Sequence, residues 1–252
     1  MDLRQELDRA IDELRPIDDI FLRVLFHNNK RLVSKILRII MDKPDLKVLK
    51  YETPYDIEQI TIHESADLYA SAIDCHGTLY NIEVQINTGV ANPRRSRYHH
   101  ALIDIDSLKA NGRCDKLPES YVIFITDKDE IGDGAPIHVF KMYDEKTNTS
   151  LNDGIYTIYL NTGYTGDFGE SALTRLLHDF KCSQSWSMLT SFMKESVRST
   201  KCGERRIYMC EIIDNLIKAA TEEKDKSIAE KDAEIEQLKK ALEEANSKKK
   251  KK

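Results

Sequence analysis

The segment that most constrains the fold is YVIFIT at residues 121–126, an almost wholly apolar run. Strands with one solvated face alternate apolar and polar residues, whereas an uninterrupted run is typical of a strand covered on both faces. Such strands belong to mixed or parallel sheets that carry helices on both sides. Two further strand patterns, at 137–143 and 154–161, follow along the chain. The sequence therefore predicts an α/β domain whose strands are bracketed by helices.

Helical patterns lie on both sides of these strands. Residues 17–43 carry two apolar groups at helical spacing, separated by Asn28-Asn29, which predicts two helices joined by a short polar turn. Residues 95–110 have one apolar helical face, and residues 170–220 contain several more helical patterns. Three aromatic residues are expected in the core: Tyr156, Tyr159 and Trp186.

A β-hairpin is predicted ahead of the apolar strand. The turn signal His76-Gly77 separates an alternating pattern at 67–75 from a second one at 78–87. Pairing across such a turn joins residues whose numbers sum to about 152. The two strands would therefore be antiparallel neighbours.

Acidic and amide side chains share one face of this hairpin. Alternation places Glu83 and Gln85 on the same side of the second strand, and the register puts Asp67 beside them. Acidic groups are costly to bury unless they are paired or bind a cation, and hard cations such as Mg²⁺ prefer carboxylate oxygens. The hairpin therefore predicts a metal site. A hairpin with one polar face in water is the alternative, and it is common.

Composition narrows the class of protein. A net charge of −5 with 32% charged residues suits a soluble protein. The chain has no apolar run of roughly eighteen residues, and the segment MDLRQELDRA lacks the apolar core of a secretion signal, so a cytoplasmic protein without a membrane partner is expected. The five cysteines are widely spaced and form no CxxC pair, which predicts free thiols.

The C-terminal part of the chain changes to charged residues and alanine. Its apolar exceptions fall at heptad spacing and are Ile228, Ile235, Leu238 and Leu242. Residues 221–246 therefore predict a short coiled coil and, through it, a homodimer. The lysine tail at 247–252 is expected to be disordered.

Four segments together carry a family resemblance. They are DDIFLRVLF at 18–26, ADLYASAID at 66–74, YNIEVQ at 80–85 and RRSRYHHALIDIDSL at 94–108. In this order they resemble the PD-(D/E)XK nuclease family transposases, also called the recombination-promoting nuclease (Rpn) family. The resemblance covers roughly residues 17–165. It implies a restriction-endonuclease-like core with a central mixed β-sheet flanked by helices.

The chain would then divide into four parts. They are a nuclease-like domain at 1–165, a helical region at 166–220, the coiled coil at 221–246 and the lysine tail at 247–252.

The resemblance also assigns roles to the hairpin residues. It implies that Asp67 and Glu83 are catalytic metal ligands, and that Gln85 stands where the superfamily usually has a lysine. A glutamine orients water through hydrogen bonds but does not act as a base near neutral pH. Activation of the attacking water would therefore depend mainly on Mg²⁺, with Mn²⁺ as the alternative ion. Asp19 would either complete the metal site or cap the first of the two helices.

Arginines follow the hairpin at the start of the next helix. The resemblance implies that Arg95 or Arg97 contacts DNA phosphate, and a solvated basic turn is the alternative. The implied protein is a metal-dependent endodeoxyribonuclease, a hydrolase that binds DNA and acts in recombination or in defence against mobile elements or phage. The competing hypothesis is a catalytically inactive nucleic-acid-binding or oligomerising module with the same fold.

Overall fold

The computed structural model describes residues 3–52, 70–86, 91–169, 171–203 and 205–249. Contacts divide the chain into two compact units, Met1–Met209 and Cys210–Lys252. The first unit holds the sheet and the helices around it. The division of the chain at 165, 220 and 246 stays a prediction.

The helices are α1 (Leu3–Glu13), α2 (Asp19–Phe26), α3 (Lys30–Ile40), α4 (Pro93–Asn111), α5 (Ala172–Lys181), α6 (Ser191–Cys202) and α7 (Arg205–Lys249). The strands are β1 (Val48–Glu52), β2 (Ala70–Asp74), β3 (Leu79–Gln85), β4 (Ser120–Thr126), β5 (Ile137–Phe140) and β6 (Ile155–Asn161). Short 3₁₀ turns occupy Cys114–Lys116 and Ser185–Ser187.

The strands form one mixed sheet in the order β1-β2-β3-β4-β6-β5. β3, β4 and β6 are parallel neighbours, and the outer pairs are antiparallel. Every residue of β4 is buried, because β4 is a central strand and α4 packs against it. The mixed sheet with flanking helices that the apolar run predicts is therefore confirmed.

The predicted hairpin is present as β2 and β3. Ala70 pairs with Ile82 and Ile73 with Leu79, which is the register predicted from the turn. Gly77 has a φ of +84°, a left-handed conformation that glycine adopts without steric cost. Asp67 lies outside the described residues, so its place beside Gln85 stays a prediction.

The helices before and after the sheet pack together. α2 and α3 join at the predicted turn, where the side chain of Asn29 caps α3 by accepting from the backbone N–H of Leu32 at 3.3 Å. α5 and α6 pack against α2 and α3. The region after residue 165 therefore contributes to the same unit as the sheet.

Two elements have no counterpart in the sequence analysis. α1 has Leu7, Ala10 and Ile11 at helical spacing, a signal that the sequence analysis missed, and it buries Ile11 fully while its other described residues are mostly exposed. β1 is an edge strand in which Val48 is buried and most of the remainder is exposed. An edge strand that buries so little apolar surface leaves little trace in a hydrophobic pattern.

The C-terminal unit is one continuous helical segment of α7, which has 45 residues in total. Ser247–Lys249 are helical, which corrects the predicted disorder for these residues. Alanine, glutamate and lysine are strong helix formers, and no glycine or proline interrupts α7. Ile228 and Ile235 are about half exposed, at 47% and 48%, and a coiled coil is not shown.

Trp186 is the one predicted core aromatic that the structure contradicts. Its side chain is 74% exposed, on the 3₁₀ turn between α5 and α6, whereas Tyr159 is buried as predicted. None of the described helices combines the length and the apolar character needed to cross a membrane.

Candidate active site

Glu83 lies on β3, next to Phe124 of β4, and its side chain is completely buried. Removing a carboxylate from water is unfavourable unless neighbouring groups donate hydrogen bonds or carry opposite charge. The groups around Glu83 therefore decide both its protonation and its chemistry.

Four side chains present nitrogen atoms to this carboxylate. Together with Glu83 they form what we call the Glu83 cluster: Asn81, Gln85, Arg95 and His99. Oε1 accepts from Nδ2 of Asn81 at 3.2 Å, and Nε2 of His99 lies 2.5 Å from the same oxygen. Oε2 accepts from Nε of Arg95 at 3.1 Å and from Nε2 of Gln85 at 3.3 Å. Both carboxylate oxygens therefore accept hydrogen bonds, and the His99 ring lies close to one of them.

The cluster is assembled by two regular elements. Alternation along β3 turns Asn81, Glu83 and Gln85 to one face. Arg95 and His99 are four residues apart on α4, which puts them on one face of that helix. The start of α4 is fixed by a cap, because the side chain of Asn92 accepts from the backbone N–H of Arg95 at 3.0 Å.

Glu83 is ionised at neutral pH. Burial alone would raise the pKa of its carboxyl, but the contacts with His99 and Arg95 outweigh burial and hold the pKa below its ordinary range.

Three buried atoms of the cluster have no hydrogen-bond partner within the described part of the chain. They are Oδ1 of Asn81 and both ring nitrogens of His99, of which Nε2 lies close to Glu83 but outside hydrogen-bond geometry. Buried carbonyl oxygens normally have a partner, and a hard cation or an ordered water would supply one here. An ionised carboxylate next to an unpartnered amide oxygen is the kind of donor set that Mg²⁺ takes. The residues present therefore fit a divalent cation.

A cation at Glu83 would have to displace one of the present nitrogen donors. Arg95 is the best placed to leave, since its side chain is 21% exposed and the guanidinium can turn towards water. In this structure, the Arg95 guanidinium therefore neutralises the Glu83 carboxylate.

The adjacent histidine faces elsewhere. His100 is buried, with Nδ1 at 2.9 Å from Oγ of Ser120 and Nε2 at 3.3 Å from Oγ1 of Thr157. Burial and, to a smaller extent, the charge of His99 lower the pKa of His100 to about 4, so its ring is neutral. The two histidines do not converge on one ion, as expected for helical neighbours about 100° apart.

The other acidic residue predicted for the metal site has a partner of its own. Asp19 is the first residue of α2, and Nε of Arg23 donates to its carboxylate at 2.8 Å. Asp18 holds the N-cap position, but its carboxylate accepts from the backbone N–H of Arg15 and not from α2. The capping alternative therefore does not hold for Asp19. Among the described residues, Asp19 pairs with Arg23 rather than with the Glu83 cluster.

The two arginines predicted to contact phosphate differ in their surroundings. Arg95 contacts Glu83, whereas Arg97 is exposed. Sequence reasoning missed Asn81 and His99 as members of the site. The signals were present, because Asn81 alternates with Glu83 and His99 follows Arg95 by one helical turn.

The mixed six-stranded sheet with flanking helices is consistent with a restriction-endonuclease-like α/β fold. The model of the family described as PD-(D/E)XK nuclease family transposase matches residues 16–177. The match spans more than half of the chain, which therefore belongs to this family. No curated protein and no solved structure matches the chain. Family membership suggests a nuclease-type function, which implies DNA binding, and PD-(D/E)XK nucleases typically use divalent metal ions.

Proposed function

We propose that this protein is a Mg²⁺-dependent endonuclease that hydrolyses phosphodiester bonds in DNA. The observation that carries the proposal is Glu83, a buried, ionised carboxylate beside the unpartnered oxygen of Asn81. We expect this DNA cleavage to act in recombination or in defence against mobile elements or phage.

Asp67 and Glu83 would hold the metal. Bound Mg²⁺ would lower the pKa of its water and neutralise charge on the phosphate. Asn81 would contribute its amide oxygen directly or through water. Asp19 would join only after its carboxylate leaves Arg23, and Mn²⁺ would be accepted by the same oxygen ligands.

Gln85 would orient the attacking water. Its amide nitrogen donates to Glu83, which leaves the amide oxygen as an acceptor for a water O–H. The amide has no basic lone pair near neutral pH, so Gln85 positions the water without taking its proton.

Arg95 would have two partners in turn. With Glu83 bound to a cation, the guanidinium would be released and would pair with a DNA phosphate, to which arginine binds through paired N–H donors. Arg97, which is exposed, would add a second phosphate contact from the same helix.

A homodimer through α7 would suit cleavage of both strands of a duplex. Ile228, Ile235 and Leu238 are exposed apolar residues at heptad spacing on a single helix. A matching face on a second copy would bury them. Sedimentation of the whole protein and of Ile235→Lys tests this part, since a monomeric wild-type protein would contradict it.

A supercoiled-plasmid nicking assay with Mg²⁺ tests the function. We expect the wild-type protein to nick the plasmid, and Asp67→Ala and Glu83→Gln to lose at least about a hundredfold in rate, a loss expected when a metal ligand is removed. Asp74→Asn is the matched control, because Asp74 is also a buried carboxylate of the hairpin but lies outside the cluster.

Each outcome of the assay has a clear meaning. Equal nicking by Glu83→Gln and wild type would overturn the metal-site assignment. Absence of nicking by the wild-type protein with both Mg²⁺ and Mn²⁺, together with retained DNA binding, would favour the inactive-module hypothesis.

A further inference from the structure

A cavity of about 360 Å³ lies beside the first turn of α4. We call it the α4 cavity. Its walls come from α4, from the segment after β4, from the edge strand β5 and from its neighbour β6, and they include Pro93, Ile131, Phe140 and Tyr159. The volume lies near the lower end of the roughly 300–1,000 Å³ found for ligand pockets, which suits a single small ring system.

One buried polar group in the wall has no partner. Tyr159 is only 5% exposed, and its hydroxyl lacks a hydrogen-bond partner among the described residues. The ring is held by Phe124, at 5.2 Å between centroids, and by the edge-on ring of Phe140 at 5.7 Å. Burial and, to a smaller extent, the charge of Glu130 raise the pKa of Tyr159 to about 12, so the hydroxyl keeps its proton and is a donor. A ligand with an acceptor atom would satisfy it.

The remaining polar groups of the wall select against an anion. Ser96 and Thr157 line the cavity with hydroxyls that contact each other. Glu130 is a further residue of the wall, and its negative charge would disfavour a phosphate there. The cavity is therefore suited to an uncharged, flat ring with hydrogen-bonding atoms at its edge.

The cavity and the Glu83 cluster take neighbouring residues of α4. Ser96, in the cavity wall, directly follows Arg95, which contacts Glu83. A DNA strand whose phosphate pairs with Arg95 would contact α4 one residue away from the cavity wall.

We propose that the α4 cavity binds one unpaired nucleobase of the DNA, an inference that rests on the proposed nuclease function. The base stacks between the apolar walls, as extruded and single-stranded bases do on apolar and aromatic side chains. The Tyr159 hydroxyl donates to a ring nitrogen or carbonyl oxygen of the base, and the Ser96 and Thr157 hydroxyls contact its edge.

Binding of the four free deoxynucleosides, measured by NMR titration without metal, tests the proposal. We expect the wild-type protein to bind at least one of them at millimolar concentration. Tyr159→Phe keeps the ring and removes only the hydroxyl, and we expect about fivefold weaker binding from the loss of one hydrogen bond. Tyr156→Phe is the control, because Tyr156 stacks on Tyr121 and does not line the cavity.

A second variant keeps the test decisive. Ile131 is 42% exposed, so Ile131→Trp fills the cavity mouth with little risk to folding, and we expect it to abolish nucleoside binding. Failure of all four nucleosides to bind, or equal binding by Tyr159→Phe and wild type, would overturn the base site. The binding test does not measure cleavage, so it can succeed where the nicking assay fails. Nucleoside binding without DNA nicking would support the base site and contradict the proposed nuclease function.

Discussion

Two buried carboxylates in the same hairpin have opposite kinds of partners. Asp74, at the end of β2, accepts from the backbone N–H groups of His76 and Thr78 at 2.9 and 3.0 Å, and from the hydroxyl of Tyr80 at 2.9 Å. Glu83, on β3, is surrounded by side chains from β3 and α4.

This difference indicates that Asp74 has a structural role, whereas Glu83 can exchange one partner for another. The two backbone donors are fixed by the turn that Asp74 itself closes, so these partners cannot leave without unfolding the hairpin. Side-chain donors can change rotamer, so Glu83 can lose Arg95 and gain a cation without disturbing β3. Asp74→Ala, Glu83→Gln and Arg95→Ala test this distinction.

The largest expected effect on stability is at Asp74. Asp74→Ala leaves the N–H groups of His76 and Thr78 without an acceptor, and we expect it to lower the free energy of unfolding by about 3 kcal/mol. Glu83→Gln should cost about 1 kcal/mol, because Arg95 can turn to water and the desolvation cost of the carboxylate disappears. Urea unfolding of both variants measures the difference, and a larger loss in Glu83→Gln would break the comparison.

A pH effect of intermediate size is expected at His100, whose partners are uncharged hydroxyls. Its folded pKa of about 4 lies below that of an exposed histidine, about 6.5. Between these values the unfolded chain binds a proton that the folded protein does not, so stability falls as the pH falls. The contribution lost by pH 5 is about 2 kcal/mol relative to neutral pH.

His100→Gln removes this titration. We expect its unfolding free energy to change less between pH 7 and pH 5 than that of the wild type, as measured by urea unfolding at each pH. His76→Gln, at an exposed position of the hairpin turn, should keep the wild-type pH dependence. Parallel curves for wild type and His100→Gln would show that the ring binds protons equally in the folded and unfolded states, which would contradict the lowered pKa.

The smallest expected effect concerns the exchange at Glu83. Arg95→Ala removes the internal cation, and we expect Mg²⁺ or Mn²⁺ to bind about tenfold more tightly in the absence of DNA, since a partly exposed charge near the site is worth about 1.4 kcal/mol. Isothermal titration calorimetry measures this affinity, with Arg97→Ala as the exposed control. Weaker binding by Arg95→Ala would mean that the guanidinium supports the cation instead of competing with it.

The sequence was sufficient for the parts of the fold that depend on strong patterns. The apolar run at 121–126 predicts β4 in a mixed sheet, and the turn at His76-Gly77 predicts the register of β2 and β3, because alternation and turn length fix which residues pair. The sequence did not predict the strand β1 or the exposure of Trp186. An edge strand and a single 3₁₀ turn bury too little to produce a periodic signal.

The same limit applies to the site. Glu83 and Gln85 share a face as predicted from alternation, but the contact of His99 with Glu83 depends on how α4 docks on the sheet. Docking of one element on another is set by tertiary packing, which no local spacing records. Asp67 remains a prediction from register and resemblance.

The strand pairings also bear on the order in which the chain folds. Within the hairpin, Ile73 pairs with Leu79 only six positions later, whereas Leu79 pairs with Ser120 of β4 at a separation of 41 positions. Short loops close far sooner than long ones, so β2 and β3 are expected to meet before β4 is added beside them. β3, which carries Glu83, would then be paired on one side only until β4 and α4 are in place. During synthesis, this interval is when the central strands are exposed to aggregation, and it ends only after β4 has left the ribosome.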